Sequence, residues 1–193
     1  MGMLIVIAGT PGTGKTSVSR ELSLITGLPV VDLGSFALEK GFIVDFDYER
    51  NSYVVDEDAL SQSIVELASK SESDLIVSTL YPEILKPEIV RYVFVLRTHP
   101  LILEKRLEAK NWSRRKINEN IMAEILGVVS YNAVEAFGEE KVFEVDTSNT
   151  TPREAAEMIS RIMSGVEAVK PGVRVDWLLL LPVEVVSRFK DYE

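Results

Sequence analysis

The stretch GTPGTGKT at residues 9–16 decides the fold. It follows the apolar run LIVIA at residues 4–8, and residues 16–25 after it are predicted to form a helix that stops at Gly27. The stretch matches the pattern G-x-x-x-x-G-K-[ST] at every fixed position, which is typical of loops that hold phosphate between a strand and a helix. A plain glycine-rich turn is the alternative, but it does not require three glycines, a lysine and a threonine in this register. The stretch therefore predicts a phosphate-binding loop, called the phosphate loop below.

The phosphate loop supplies main-chain donors, one cation and one hydroxyl. Glycines allow backbone angles and close approaches that bulkier residues exclude, so consecutive N–H groups converge on a β-phosphate. The helix that follows adds the positive end of its dipole. Lys15 brings an ammonium to the β- and γ-phosphates, and the Thr16 hydroxyl is placed to bind Mg²⁺. The predicted ATP-binding residues of this segment are Gly12, Thr13, Gly14, Lys15, Thr16 and Ser17.

Strand-like and helix-like segments alternate along the chain, which is typical of an α/β protein with a largely parallel sheet. All-apolar strands are predicted at residues 75–77 and 92–96, as in a sheet covered on both faces. We expect a three-layer α/β/α fold around a central, mainly parallel sheet. The other predicted elements are a short strand at 30–33, an irregular, partly helical insert at 34–55, a helix capped by Asp56, a helix at 100–109, one long helix ending near Ala136, a strand at 141–145, a helix from Thr151 to about Ser164 and a final helical turn at 184–189.

The composition is that of a soluble globular protein with one main core. Of the 193 residues, 46% are hydrophobic, 26% are charged and none is cysteine. The lack of cysteine excludes disulfides and thiol catalysis and agrees with a cytoplasmic setting. No apolar run approaches the roughly 20 residues that cross a bilayer, so no membrane association is expected. The net charge of −9 argues against direct nucleic-acid binding and is compatible with a basic protein partner or a merely solubilising surface.

Residues 106–116 gather basic side chains between two predicted helices. A mobile basic flap that closes on a triphosphate would stabilise charge in the transition state and exclude water. The alternative is a solvated helix end, since Ser113 is a good N-cap. The flap is favoured because the charges cluster at a predicted break between helices. They belong to Arg106, Lys110, Arg114, Arg115 and Lys116.

The chain resembles the adenylate kinase isoenzyme 6 type family, whose members are also described as ribosome-assembly factors. The resemblance covers roughly residues 3–165 and indicates an archaeal-type member with a degenerate Walker B element. Its most specific part is a Leu-Arg strand end followed by a helix with Glu-Asn and Ala-Glu pairs. The matching segments are the phosphate loop, VDED at 55–58, VFVLR at 93–97, RLE at 106–108, KI at 116–117, ENI at 119–121 and AE at 123–124.

The resemblance implies a nucleoside monophosphate kinase of the P-loop NTPase fold that transfers the γ-phosphoryl group of ATP to AMP, with an ATPase activity and Mg²⁺ as cofactor. It implies a kinase domain at residues 1–165, with a monophosphate-binding insert at about 32–55 and a lid at about 109–119. Residues 166–193 are then a C-terminal extension. The lid arginine of the family is matched by Lys110, which keeps the charge and contacts the nucleotide but lacks the bidentate fork of arginine. The predicted catalytic residues are Lys15, Lys110 and Arg114.

Two stretches depart from the family pattern. Residues 78–80 read Ser-Thr-Leu where the family carries an Asp-x-His element that serves Mg²⁺ and a catalytic water. Ser35 and Leu38 stand where family members usually carry Asp and Arg. Both departures bear on the ATPase step and on AMP affinity. Because Asp32 lies at the end of the second predicted strand, we expect it to take over part of the metal site beside Thr16.

Three functions are therefore open. The first is the AMP kinase. The second is an ATP-binding assembly factor with little kinase turnover that acts on a basic ribosomal protein, for which the resemblance implies the small-subunit protein uS11. The third is a kinase of another small hydroxylated metabolite. The Ser-Thr-Leu substitution favours the second function, and the lid charges favour the first.

Four further features carry smaller expectations. His99 precedes a proline and is interpreted as a helix start rather than a catalytic group. Trp112 either stacks on adenine or packs the hinge of the lid. Asn149 and Thr150 follow the last core strand, where backbone contacts to the base are as plausible as a plain loop. The amphipathic tail at residues 173–193 is expected to pack on its own domain or on a second subunit rather than on a membrane.

Overall fold

The computed structural model describes residues 2–48 and 52–190, and its core is a five-stranded sheet. All neighbouring strands of this sheet run parallel, in the order β2-β5-β1-β6-β7. A separate antiparallel hairpin joins β3 to β4. The strands are β1 (Leu4–Ala8), β2 (Val30–Asp32), β3 (Ile43–Asp47), β4 (Ser52–Val55), β5 (Leu75–Ser78), β6 (Val90–Arg97) and β7 (Val142–Asp146).

Helices connect the strands, and several begin where the sequence supplies a cap. Asp56 accepts a hydrogen bond from the Ala59 amide at 3.0 Å, and Thr151 and Glu154 form a capping box. Short 3-10 turns lie at Pro82–Ile84, Pro87–Ile89 and Glu139–Lys141. The helices are α1 (Lys15–Thr26), α2 (Leu33–Lys40), α3 (Glu57–Lys70), α4 (Pro100–Glu108), α5 (Arg114–Ile125), α6 (Val128–Phe137), α7 (Pro152–Met163), α8 (Trp177–Leu180) and α9 (Val183–Ser187).

The central strand β1 is buried on both faces, and its alternating side chains enter two separate clusters. Leu4 and Val6 pack in a cluster with buried residues of α3 and α6. Ile5 and Ile7 pack on the other face with residues of α1 and α7. Helices therefore cover the sheet on both sides, and the predicted three-layer α/β/α fold with a parallel sheet is confirmed.

The single long helix predicted to end near Ala136 is wrong, because the segment forms α5 and α6 with a break at Gly127. Gly127 adopts φ +65°, a left-handed conformation that ends α5 and that glycine adopts without strain. The two helices also bury different surfaces. Ile121 of α5 belongs to a third apolar cluster, whereas Ala133 of α6 packs against the sheet. One straight helix could not pack against both the third cluster and the sheet.

The insert at 34–55 is more regular than the sequence indicates. Its first part is α2, which begins one residue earlier than predicted, at Leu33, with Asp32 as N-cap. Residues 43–47 and 52–55 of the insert pair as the antiparallel strands β3 and β4 instead of forming an irregular segment. Phe46 makes edge-to-face contacts with Tyr48 and Tyr53, at 5.1 and 5.2 Å between ring centroids. These aromatic contacts stabilise the pairing of β3 with β4. They do not follow a helical period, so the sequence pattern does not indicate them.

The tail packs on its own chain, on the outer side of α4 and α5. Trp177, Leu181, Val186 and Phe189 are buried in one cluster with Leu103, Leu107, Ile117, Ile121 and Ile125. The first of the two alternatives for the tail is thus confirmed, and α9 overlaps the segment 184–189 predicted as a final helical turn, beginning one residue earlier. Across residues 2–48 and 52–190, every helix is too short or too polar to cross a membrane.

Candidate active site

The phosphate loop lies at the carboxyl end of β1, in the middle of the sheet. Gly14 is the N-cap of α1 and provides no side-chain cap, which leaves the first amides of this helix available to an anion. Gly12 adopts φ +92°, and a Cβ atom there would lie 2.8 Å from a methyl group of Leu103 and 3.0 Å from one of Leu107. Because α4 comes this close, position 12 requires glycine.

The Lys15 side chain folds back over the loop. Its Nζ donates to the carbonyl oxygens of Gly9 at 2.7 Å and Thr10 at 3.0 Å. The pKa of Lys15 is lowered to about 8, chiefly by burial and to a smaller extent by the charge of Lys110. The charges of Asp32 and Glu124 act in the opposite direction. An anionic ligand would therefore meet an ammonium that is poorly compensated by the protein.

Two cavities meet at the phosphate loop. The first, of about 460 Å³, is the phosphate cavity, and it is lined by Pro11, Gly12, Gly14, Lys15, Thr16, Ser17, Arg106, Lys110 and Trp112. The second, of about 270 Å³, is the base cavity, and it is lined by Gly12, Thr13, Gly14, Val18, Arg106, Thr147, Thr150, Thr151 and Pro152.

Arg106 borders both of these cavities. Its guanidinium donates to the carbonyl oxygens of Gly12 at 3.3 Å and Thr147 at 3.0 Å. It thus joins the phosphate loop to the loop that follows β7. The sequence placed Arg106 among the flap charges and in the matching segment RLE at 106–108, but it assigned this residue no role of its own. Its two partners are main-chain atoms from distant segments, which a sequence pattern does not show.

The structure brings most of the predicted site residues together. Gly12, Gly14, Lys15, Thr16, Ser17 and Lys110 all line the phosphate cavity, and Thr13 lines the base cavity next to it. Arg114 does not line either of them. Its guanidinium binds the carboxylates of Glu104 at 2.6 Å and Glu108 at 3.2 Å. A catalytic role of Arg114 stays a prediction that would require this side chain to leave both partners.

The predicted metal ligands lie on neighbouring elements. Asp32 Oδ1 accepts from the Ser35 amide at 2.9 Å, and the sheet register pairs Asp32 with Ser78. Ser78 Oγ is buried without a hydrogen-bond partner in the described part of the chain. Within that part, no three His, Cys, Asp or Glu residues cluster as a metal cage. Mg²⁺ in kinases takes few protein ligands and relies on phosphates and water, so the hydroxyl of Thr16 and the carboxylate of Asp32 fit this ion.

The lid segment carries Trp112 at its centre. The Trp112 ring lies 5.2 Å from Lys110 Nζ and 4.6 Å from Lys116 Nζ, and it borders the phosphate cavity rather than the base cavity. The ring also packs against the apolar cluster that contains Leu103 and Ile117. Stacking of Trp112 on adenine stays a prediction. Of the pair Asn149 and Thr150, only Thr150 lines the base cavity.

His99 begins α4, as predicted from its place before a proline. Its Nδ1 accepts from the Leu101 amide at 3.3 Å, which makes it the N-cap of this helix. Its ring also packs edge-to-face against Trp177, with 5.4 Å between the ring centroids.

A third cavity, called the acceptor cavity, lies between the insert and the loop after β5. It measures about 240 Å³ and its walls are mostly apolar. Because β2 and β5 lie on one side of β1 while β6 and β7 lie on the other, the acceptor cavity and the base cavity flank the phosphate loop along one sheet edge. Its lining residues are Leu33, Gly34, Ala37, Leu38, Ile43, Tyr53, Val55, Leu60, Thr79, Leu80, Tyr81 and Ile84.

A buried ion network supports the loop from below. Arg97 is 1% exposed and its Nε donates to Glu124 at 2.9 Å, while its Nη1 contacts Glu144. Burial opposes the charge of Arg97, but the two carboxylates outweigh it and raise the pKa of Arg97. The other oxygen of Glu124 accepts from the Thr10 hydroxyl at 2.6 Å. An arginine at the end of an all-apolar strand was the signal in the sequence that a buried carboxylate partner must exist.

Comparison with known proteins identifies a family and several relatives of this chain. The family described as "AAA domain" matches residues 5–127. A protein of Sulfurisphaera tokodaii named "Putative adenylate kinase" is 36% identical, covering 98% of this chain and 97% of its own length. Proteins with the same name from Pyrococcus abyssi and Saccharolobus islandicus are each 37% identical, covering 91% and 81% of this chain and the same shares of their own lengths.

Solved structures show the same fold at low sequence identity. A shikimate kinase from Acinetobacter baumannii has a TM-score of 0.61 and 17% identity, covering 88% of this chain and 97% of that one. A gluconokinase from Sinorhizobium meliloti has a TM-score of 0.52 and 16% identity, covering 86% of this chain and 95% of that one. These two likenesses concern the fold alone.

Proposed function

The chain belongs to the family of these adenylate kinase relatives, and we propose that it is an ATP-dependent nucleoside monophosphate kinase with AMP as its first acceptor. The observation that carries the proposal is the placement of three cavities along one sheet edge, with the phosphate loop between a base cavity and an acceptor cavity. Two nucleotides bound there would direct their phosphates toward the same loop. In this proposal residues 1–165 are the kinase domain, 32–55 the monophosphate-binding insert, 109–119 the lid and 166–193 an extension.

The donor nucleotide would occupy the base and phosphate cavities. Loop amides and the Lys15 ammonium hold the β- and γ-phosphates, and Arg106 lies where the two cavities meet. Transfer requires an acceptor phosphate oxygen to attack the γ-phosphorus as the bond to the β–γ bridging oxygen breaks. Negative charge then grows on the β-phosphate, and the fixed loop donors stabilise it. Mg²⁺ held by Thr16 and near Asp32 would neutralise charge on the β- and γ-oxygens.

The acceptor cavity supports a planar, largely apolar group such as a nucleobase. Leu38 and Tyr53 come from the insert, and Leu80 and Tyr81 come from the loop after β5. Leu38 contributes no charge to the phosphate of an acceptor, so we propose that AMP binds more weakly than it does to a chain with arginine at this position. The lysine of the lid, Lys110, is then the cation that closes on the transferring group.

One observation favours a second function, an ATP-binding assembly factor with little turnover. The end of β5 provides the buried Ser78 hydroxyl, and residues 78–80 contain neither a carboxylate nor an imidazole. A site that lacks a carboxylate or imidazole as general base would bind ATP but would hydrolyse it, or transfer its γ-phosphoryl group, slowly. The ribosomal protein uS11 as its partner, and a cytoplasmic location, stay predictions from the sequence.

A coupled assay of ADP formation separates these functions. The purified chain is mixed with Mg²⁺ and ATP, with and without AMP, and Lys15→Met serves as the blank. Stimulation by AMP with two ADP formed per ATP supports the kinase. ADP formation at the same rate with and without AMP contradicts the kinase and supports the assembly factor. Absence of ADP formation in protein that binds ATP has the same meaning. Stimulation by a small hydroxylated metabolite instead of AMP would identify the third alternative.

A further inference from the structure

The segment from Val173 to Phe189, called the C-terminal strap, is anchored to the ion network beneath the phosphate loop. The backbone amides of Arg174 and Val175 both donate to Glu144 Oε2, at 2.5 and 2.6 Å. The Val175 carbonyl accepts from Arg97 Nη1 at 3.2 Å. The strap therefore supplies both donors and an acceptor to buried ions, which a segment serving only as an apolar cover would not need.

Trp177 makes the contact that leads to the site. Its indole ring is 5% exposed, and its Nε1–H donates to Glu124 Oε1 at 3.1 Å. The same oxygen accepts from Arg97 Nε at 2.9 Å and from the Thr98 amide at 3.0 Å. A buried carboxylate is held by the sum of its donors, so removing one lets the group rotate or draws in water.

Glu124 in turn holds the second residue of the phosphate loop. Its Oε2 accepts from Thr10 Oγ1 at 2.6 Å. The Thr10 carbonyl accepts from Lys15 Nζ at 3.0 Å and from Thr13 Oγ1 at 2.9 Å. An unbroken series of hydrogen bonds thus runs from the indole of the strap to the ammonium that faces the phosphates.

We propose that the C-terminal strap is a positioning element of the ATP site, and that Trp177 acts through Glu124 and Thr10 to fix the phosphate loop in its phosphate-binding conformation. The inference rests on the ATP-binding part of the proposed function. Trp177 lines neither the phosphate cavity nor the base cavity. Its hydrogen bond to Glu124 is the polar route by which it reaches the loop. The packing of the strap on the ion network then sets the affinity for ATP, although the strap does not contact the nucleotide.

The test is a double-mutant cycle read by calorimetric Mg²⁺-ATP binding. Trp177→Phe keeps an aromatic ring in the cluster but removes the N–H donor, and we expect the Kd for ATP to rise about 3- to 10-fold. In a Thr10→Val background, which removes the link from the loop to Glu124, we expect Trp177→Phe to change the Kd by less than about 2-fold. Additive effects, or an unchanged Kd in Trp177→Phe, would overturn the proposal.

The matched control is Val186→Ala. Val186 is buried in the same cluster and no hydrogen bond joins its side chain to Glu124. We expect this variant to lower the melting temperature but to leave the Kd for ATP unchanged. An equal loss of affinity in both variants would mean that the strap acts only through stability, and would overturn the proposal. Absence of ATP binding by the unaltered chain would instead contradict the proposed function.

A second measurement needs no change in the strap. The chain has two tryptophans, so an NMR spectrum of protein labelled with nitrogen-15 at tryptophan shows two indole N–H signals. The signal that remains in a Trp112→Phe variant is that of Trp177. We expect the Trp177 signal of the unaltered chain to shift during a titration with Mg²⁺-ATP, with the same Kd as calorimetry. A signal that does not move while ATP binds would overturn the proposal.

Discussion

The donor side and the acceptor side of the sheet edge differ in how they are built. On the donor side, one run of eight residues provides the anion-binding amides, Lys15 and Thr16, and buried ions hold that run from below. On the acceptor side, α2, the β3–β4 hairpin and the loop after β5 each contribute a few apolar side chains. In the proposed function, the donor side would bind ATP by charge that the fold fixes in place, whereas the acceptor side would bind AMP by shape and apolar contact.

This difference determines what each side can tolerate. A fixed array of donors loses its function when one charge or one close backbone contact is altered. An apolar cavity between a helix and a hairpin adapts to a changed side chain at smaller cost. We therefore expect substitutions on the donor side to have larger effects than those on the acceptor side, as the following predictions specify.

The largest effect is expected for Lys15→Met. Loss of the ammonium beside the β- and γ-phosphates removes a charge that acts in a partly buried site. We expect kcat/KM for ATP to fall about 100- to 1,000-fold in the coupled assay. Lys105→Met, which removes an exposed charge on α4, is the control and should keep nearly full activity. Equal losses in the two variants would mean that net charge, and not the loop, governs activity.

The next effect is expected for Gly12→Ala. A methyl group at φ +92° is strained and would lie 2.8 Å from the Leu103 side chain, so either the loop or this side chain must shift. We expect ATP affinity in calorimetry to fall about 10-fold. Gly165→Ala is the matched control, because Gly165 also has a positive φ but faces open space away from the loop. That variant should lose some stability and keep its ATP affinity.

A pH titration tests the charge on the donor side without mutation. Because the pKa of Lys15 is lowered to about 8 and a bound triphosphate would raise it again, ATP binds the protonated form. The affinity for ATP should be nearly constant well below pH 8 and should fall by up to about tenfold per pH unit above it. Lys110→Met removes a neighbouring positive charge and should move the break to higher pH. A break that does not move in this variant would contradict the assignment to Lys15.

The smallest effect is expected on the acceptor side, for Leu38→Arg. Leu38 is half exposed at the wall of the acceptor cavity, so a guanidinium there can reach both solvent and an acceptor phosphate. We expect KM for AMP to fall about 5-fold while KM for ATP stays unchanged. Leu38→Gln adds polarity without charge and should not lower KM for AMP. A change in KM for ATP would show that the two sides are not separate.

The donor side could be predicted from the sequence because its determinants are local. The glycine spacing, Lys15 and Thr16 stand in one register, and the apolar strand before them fixes where the loop emerges. The same holds for the parallel sheet, whose strands β1, β5 and β6 contain continuous apolar runs, and for the α3 and α7 caps at Asp56 and Thr151.

The remaining features depend on contacts between distant segments. The break at Gly127 follows from α5 and α6 burying different surfaces, which no local pattern records. The pairing of Arg114 with Glu104 and Glu108, instead of a place at the phosphate cavity, also depends on how α5 packs against α4. The bond from Trp177 to Glu124 joins residues 53 positions apart.

The most direct test uses a bisubstrate analogue, two adenosines joined by five phosphates, which would span the base, phosphate and acceptor cavities at once. Calorimetry should give one molecule bound per chain, at an affinity about 100-fold above that of ATP, because the second nucleotide binds intramolecularly. Both ATP and AMP should compete with it. An affinity no higher than that of ATP, or AMP binding that the analogue leaves unchanged, would contradict a shared sheet edge for the two nucleotides.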